Sequence, residues 1–145
     1  MTFKTTLESY YTRFATNGEF SLFPTESIND VVKKEGVSNG YGVYVIFSRD
    51  NLERPIYIGR AGTICKNGAW KKQGIRERLT AVQKGMRRVD YFRKLMKVKY
   101  RNGLQFRWFI TRDGKEERLP ALVEAELLQA HLDEFRCLPP LNETA

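Results

Sequence analysis

Two glycine–tyrosine triplets stand out as residues that could do chemistry: Gly42-Val43-Tyr44 and Tyr57-Ile58-Gly59, with 12 residues between them. Both lie in runs rich in β-branched and aromatic residues, which read as strands. Side chains alternate faces along a strand. Tyr44 therefore shares a face with Ile46, opposite Val43 and Val45, and Tyr57 points away from Ile56 and Ile58. The plain alternative is core packing with a satisfied hydroxyl. Gly42 and Gly59 read as strand glycines that let another backbone or a ligand come close.

An arginine and a glutamate join them. An α-helix turns about 100° per residue, so Ile75, Leu79, Val82 and Met86 define the inner face of a helix over Gly74 to Lys84, with Arg78 roughly 60° from its centre and Arg76 about 100° off. Arg78 can then reach a cleft while its stem lies on apolar surface; an ion pair with Glu77 or another acid is the alternative. In the last helix, Ala121, Ala125, Leu128, Leu132 and Phe135 define the buried stripe, which puts Glu124 about 60° from its centre and Glu126 about 140° away, towards water. Of the two, only Glu124 can look into a cleft beside the sheet. His131 reads as a partly exposed structural histidine and Trp108 as a core residue.

Charge names the partner. Residues 60 to 112 hold 16 Lys/Arg against only Glu77 and Asp90, while the remainder holds 9 against 15 acids, within a net +8. Segregation of this size fits binding to a polyanion, since solubility alone does not need it; a solvated basic surface is the alternative. Hydrophobic residues make up 41% of the 145-residue chain, which suits one globular domain rather than a disordered one. No apolar run approaches the roughly 20 residues of a membrane span. The start, Met1-Thr2-Phe3-Lys4, lacks a signal-peptide run, so the cytoplasm is the expected compartment. Cys65 and Cys137 form no CxxC pair and cannot make a zinc set with the single histidine; both are expected as reduced thiols.

The elements that must position these residues follow from pattern. Leu7, Tyr10, Tyr11 and Phe14 predict a first helix and Ser27 to Lys34 a second, with Phe20, Leu22 and Phe23 packing through an irregular stretch. Residues 1–40 thus read as a helical extension. Tyr41 to Ser48 and Pro55 to Arg60 predict an antiparallel strand pair, Ala61 to Gln73 a polar, basic loop, and Asp90 the start of another helix. Leu104 to Thr111 predicts a third strand, Asp113-Gly114 a turn and Pro120 to Phe135 a long, Pro-started helix; the tail from Leu138 to Asn142 lies extended. The predicted fold class is mixed α/β, of the α+β kind: a small antiparallel three-stranded sheet covered by helices.

This order of elements and residues resembles the GIY-YIG nuclease superfamily over roughly residues 40 to 142. The two triplets match its naming motif, with Val43 where the name has Ile. Arg78 follows in the helix, Glu124 in the long helix and Asn142 after the extended turn. In three respects the chain departs from relatives: a longer Gly59–Arg78 loop, similar to members acting as restriction enzymes; Val82 where some carry a histidine; and no separate targeting domain.

The resemblance implies a catalytic core at 41–142 and a metal-dependent endonuclease that hydrolyses DNA phosphodiester bonds, leaving 5′-phosphate and 3′-hydroxyl ends. It implies Mg²⁺ or Mn²⁺ held by Glu124, Arg78 on a phosphate oxygen and Tyr44 and Tyr57 around the attacking water. Asn142 stands near the phosphate or holds the site together. Arg60, Lys66, Lys71, Lys72, Arg76, Arg87, Arg88, Arg93 and Lys94 would meet the DNA backbone, contacts that position without specifying sequence. A binding module without catalysis, and a nuclease for RNA or branched structures, are the alternatives. Oligomeric state is not legible.

Overall fold

In Asn17–Leu22, Phe20 and Leu22 are buried while Glu19 is exposed and Ser21 half-buried, a period of two that makes a strand rather than the irregular stretch expected there. The computed structural model describes residues 2–71, 73–113, 115 and 117–145, with only the backbone of residue 71. In chain order the elements are α1 (Phe3–Arg13), β1 (Asn17–Leu22), α2 (Ile28–Lys34), β2 (Tyr41–Ser48), β3 (Tyr57–Ala61), β4 (Thr63–Ile64), β5 (Trp70–Lys71), α3 (Ile75–Thr80), β6 (Val82–Gln83), β7 (Met86–Arg87), α4 (Arg88–Val98), β8 (Leu104–Arg112) and α5 (Pro120–Phe135). The class is α+β, as predicted, but the sheet has four antiparallel strands in the order β1-β8-β2-β3, not three. The additional strand is β1. Its pairing with β8 sets Phe20 opposite Phe106, their rings stacked at 4.7 Å, so residues 1–40 supply a sheet edge as well as helices.

Each face of the sheet has its own core. Tyr44, Ile46, Phe106, Trp108 and Ile110 pack on one face with residues of α2, α3 and α4. Val43, Val45, Phe47, Ile58 and Phe109 pack on the other with α1 and α5. Facing both this sheet surface and α1 rotates α5 relative to expectation. Its buried residues are Pro120, Val123, Leu127, Leu128 and His131, whereas Ala121 and Ala125 are exposed and Leu132 largely so. On a helix so rich in Ala and Leu two overlapping apolar stripes compete, and the β-branched Val123 marks the one that packs.

The helix expected over Gly74 to Lys84 stops at Thr80. Lys84 and Gly85 both take positive φ, 51° and 76°, and close a two-residue hairpin between β6 and β7. Val82 and Met86 are consequently exposed rather than on an inner face. The polar loop after β3 holds the small β4–β5 ribbon, fixed by Trp70 stacking on Tyr41 at 4.6 Å. Gly114 of the expected turn lies outside the described residues. No helix among the described residues is long and apolar enough to cross a membrane.

The outer edge of β3 is covered by the chain's tail. Leu141 N–H donates to Ile56 O at 2.9 Å. Asn142 accepts from Ile58 N at 2.9 Å through Oδ1 and donates to Ile58 O at 2.8 Å through Nδ2. An otherwise open strand edge is thereby satisfied.

Candidate functional site

The β2–β3 register sets Tyr44 opposite Gly59 and Ile46 opposite Tyr57. Directly opposed residues share a face, so the two tyrosines lie diagonally on one surface, ring centroids 5.9 Å apart. A side chain at Gly59 would stand 2.7 Å from the Tyr44 hydroxyl and 2.6 Å from the Tyr57 ring, and one at Gly42 would collide with the Phe109 carbonyl at a bulge. Both glycines allow close approach, one of aromatic rings and one of backbone. Tyr44 is fully buried, and burial, then its neighbour Tyr57, pushes its phenol well above the usual range; Arg88 and Arg78 offset only part of this. Tyr44 is therefore a protonated phenol behind the site. Tyr57, half-buried, is the tyrosine at the cleft wall.

Arg78 is carried by a six-residue helix that could not stand alone. Its anchors are Ile75 and Leu79, both fully buried, and the segment before β2. Ile75 N–H donates to Gly40 O at 3.0 Å, and Asn39 Oδ1 accepts from Glu77 N at 2.9 Å, capping the helix from outside. Asn39 also donates to the Glu77 carboxylate at 2.7 Å, so the Glu77–Arg78 ion pair is not made. The Arg78 Nε is buried with no hydrogen-bond partner.

Glu124 reaches this region from the opposite face of the sheet, which the edge position of β3 permits. Its side chain is 15% exposed, and Oε1 accepts from Arg60 Nη1 at 2.7 Å. Tyr57, Arg60, Gln73, Arg78, Glu124 and Asn142 line one cleft of about 580 Å³. Four of the five residues singled out from sequence thus share a wall, with Tyr44 directly behind. Asn142 uses both ends of its amide on the Ile58 backbone, which fixes the strand carrying Tyr57. Glu124 is the sole acidic side chain lining this cleft, and among the described residues no three His, Cys, Asp or Glu side chains converge.

Glu126 is exposed, as expected, and accepts from the Tyr10 hydroxyl, whose pKa burial, with this bond, pushes up to about 12. His131 is fully buried, not partly exposed; Nδ1 lies 2.6 Å from Cys137 O, and Arg54 Nε donates to Nε2 at 3.3 Å. Trp108 is in the core, as predicted.

Of the cations assigned to the DNA backbone, Lys66, Arg76, Arg93 and Lys94 are exposed. Arg87 is exposed but paired with Asp90 at 2.9 Å, and Arg60 is tied to Glu124. The side chains of Lys71 and Lys72 lie outside the described residues. Arg88 is the clear departure, only 8% exposed at the start of α4, because the β6–β7 hairpin turns it inward. Sequence reasoning missed this position and Asn39; Lys84-Gly85, a two-residue turn signal, could have revealed the first.

No family model, no curated protein and no solved structure matches the chain.

Proposed function

We propose that this chain is a metal-dependent endonuclease of the GIY-YIG type, hydrolysing DNA phosphodiester bonds to 5′-phosphate and 3′-hydroxyl ends. The observation that carries the reading is the single cleft lined by Tyr57, Arg78 and Glu124, in a chain whose residues 60 to 112 are strongly basic. DNA as partner and a cytoplasmic location belong to the same proposal.

A phosphate seated here meets Arg78, whose planar fork suits two oxygens at once. Tyr57 orients the attacking water and is the phenol positioned to relay its proton. Tyr44, held protonated by burial, backs the Tyr57 ring from behind, their centroids 5.9 Å apart. A single carboxylate suits Mg²⁺ or Mn²⁺, which keeps most of its waters and takes substrate oxygens for the rest. Arg60 occupies Glu124 Oε1, and the second carboxylate oxygen is the atom available to such an ion. Bound there, the ion supplies charge stabilisation for the phosphate and for the departing 3′ oxygen.

Incubating supercoiled plasmid with the protein and Mg²⁺, Mn²⁺ or EDTA, then mapping the ends, tests this. Nicking is expected with metal and not with EDTA; Glu124→Ala should stop cutting while leaving salt-sensitive DNA binding. Cutting at wild-type rate by that variant sinks the assignment. The Arg60–Glu124 bond also favours a second reading, a binding module in which this is a structural ion pair. Tight, salt-dependent binding with no cutting under any metal would select it.

A further inference from the structure

We propose that Arg88 is a second anion-gripping guanidinium of the cleft, meeting the same phosphate as Arg78 rather than the outer DNA backbone. This deepens the nuclease reading and rests on it for the identity of the phosphate.

An arginine cannot shed its proton, and a buried charge without a partner is strongly unfavourable. Arg88 is 8% exposed, and its Nε is buried without a hydrogen-bond partner. The nearest acid in sequence, Asp90, is taken by Arg87, and Glu143 pairs with Lys84 at 3.5 Å. Among the described residues only π faces compensate: the Arg88 Cζ lies 4.6 Å from the Tyr91 ring centroid and 4.7 Å from that of Phe92. Stacking of this kind fixes a guanidinium plane without consuming its donors.

Arg78 is in the same condition, its Nε also buried and unpartnered. The two arginines line one cleft of about 930 Å³, which shares Tyr57, Arg78 and Asn142 with the cleft that holds Glu124. Both also act electrostatically on Tyr44. Two cations on one cleft, neither with a carboxylate partner among the described residues, suit an oxyanion such as a phosphate. A core role alone leaves the missing counter-charge unexplained.

The test uses the full chain, with inorganic phosphate as probe, followed by NMR titration; cutting and the salt dependence of DNA binding are measured in parallel. Arg88→Gln should weaken phosphate at least tenfold and slow cutting, with the salt slope of DNA binding unchanged. Arg93→Gln, an exposed comparator outside both clefts, should leave phosphate binding alone and lower that slope by about one. Should Arg88→Gln fail to fold, Arg88→Lys keeps a charge over the rings and is expected to bind phosphate several-fold more weakly, for lack of the fork. Wild-type phosphate affinity in the folded variant, or a lowered salt slope with cutting intact, overturns the proposal. Phosphate binding through Arg88 by a chain that cuts nothing would instead remove the nuclease reading and leave the anion site standing.

Discussion

Two groupings of tyrosine, arginine and glutamate are finished differently. At the α1–β1 side, Arg107 lies over the Tyr11 ring at 4.1 Å, bonds Glu8 and sits 3.9 Å from Glu19. Two acids answer one cation, and the Arg107 hydrogen bond holds the Glu8 carboxyl below its usual range. In the cleft, Arg78 and Arg88 have tyrosines nearby, but among the described residues neither has a carboxylate partner; Glu124 is bound by Arg60, and Glu143 pairs with Lys84. The same residue types close an electrostatic circuit in one region and leave it open in the other. An open circuit is a place for a ligand.

The largest effect that sharpens this contrast is on Arg78. Arg78→Lys should slow single-turnover cutting by roughly 10²- to 10³-fold, the scale of losing an aligned oxyanion donor, because Lys cannot reproduce the fork. Next come the tyrosines. Tyr57→Phe should cost about 10²-fold, as for a group handling the proton, whereas Tyr44→Phe, behind the site, should cost less than the Tyr57 change. Equal losses would erase the distinction between cleft wall and support.

At the closed grouping, Arg107→Met should leave cutting per folded molecule unchanged and lower stability by about 1 kcal/mol or less, since the half-exposed Glu8 and Glu19 stay solvated and the loss is chiefly the guanidinium over Tyr11. A loss of cutting at constant stability would break the comparison. The smallest effect is at His131, where burial depresses the pKa below the usual 6.5 despite the Cys137 carbonyl. The folded state therefore holds the neutral ring, and the unfolded state binds the proton first. Stability should be full above about pH 6.5 and fall as pH drops below it, levelling off below the folded-state pKa. Urea melts across that range measure the slope, and His131→Gln should flatten it.

The β2–β3 pair, the central β8 and the Pro120 helix were legible because composition and period agreed over whole elements. The neighbourhood of Tyr57, Arg78 and Glu124 was reached through the resemblance carried by the two triplets and the residues after them, since the helical stripes expected around Arg78 and Glu124 were both shifted. Other features depended on contacts distant in sequence. Strand β1 carried a readable Phe20/Leu22 alternation, yet only its pairing with β8 makes it a strand. The end of α3 was hidden because Val82 and Met86 fall at helical spacing by coincidence, while the Lys84-Gly85 turn overrides them. That one turn decides whether Arg88 is an outer or an inner cation. The phase of α5 was set by α1 and the sheet together, which no single-helix pattern contains; Glu124 came to the cleft even so, because it borders both stripes.

The central claim is that Arg78 and Glu124 act on one phosphate, and a single-turnover mutant cycle with Arg78→Gln, Glu124→Gln and the double variant tests it most directly. Groups that work as a unit are strongly non-additive. The account predicts that the double variant cuts barely more slowly than the worse single one. Full additivity of two separate losses, or no loss from either change, would contradict it.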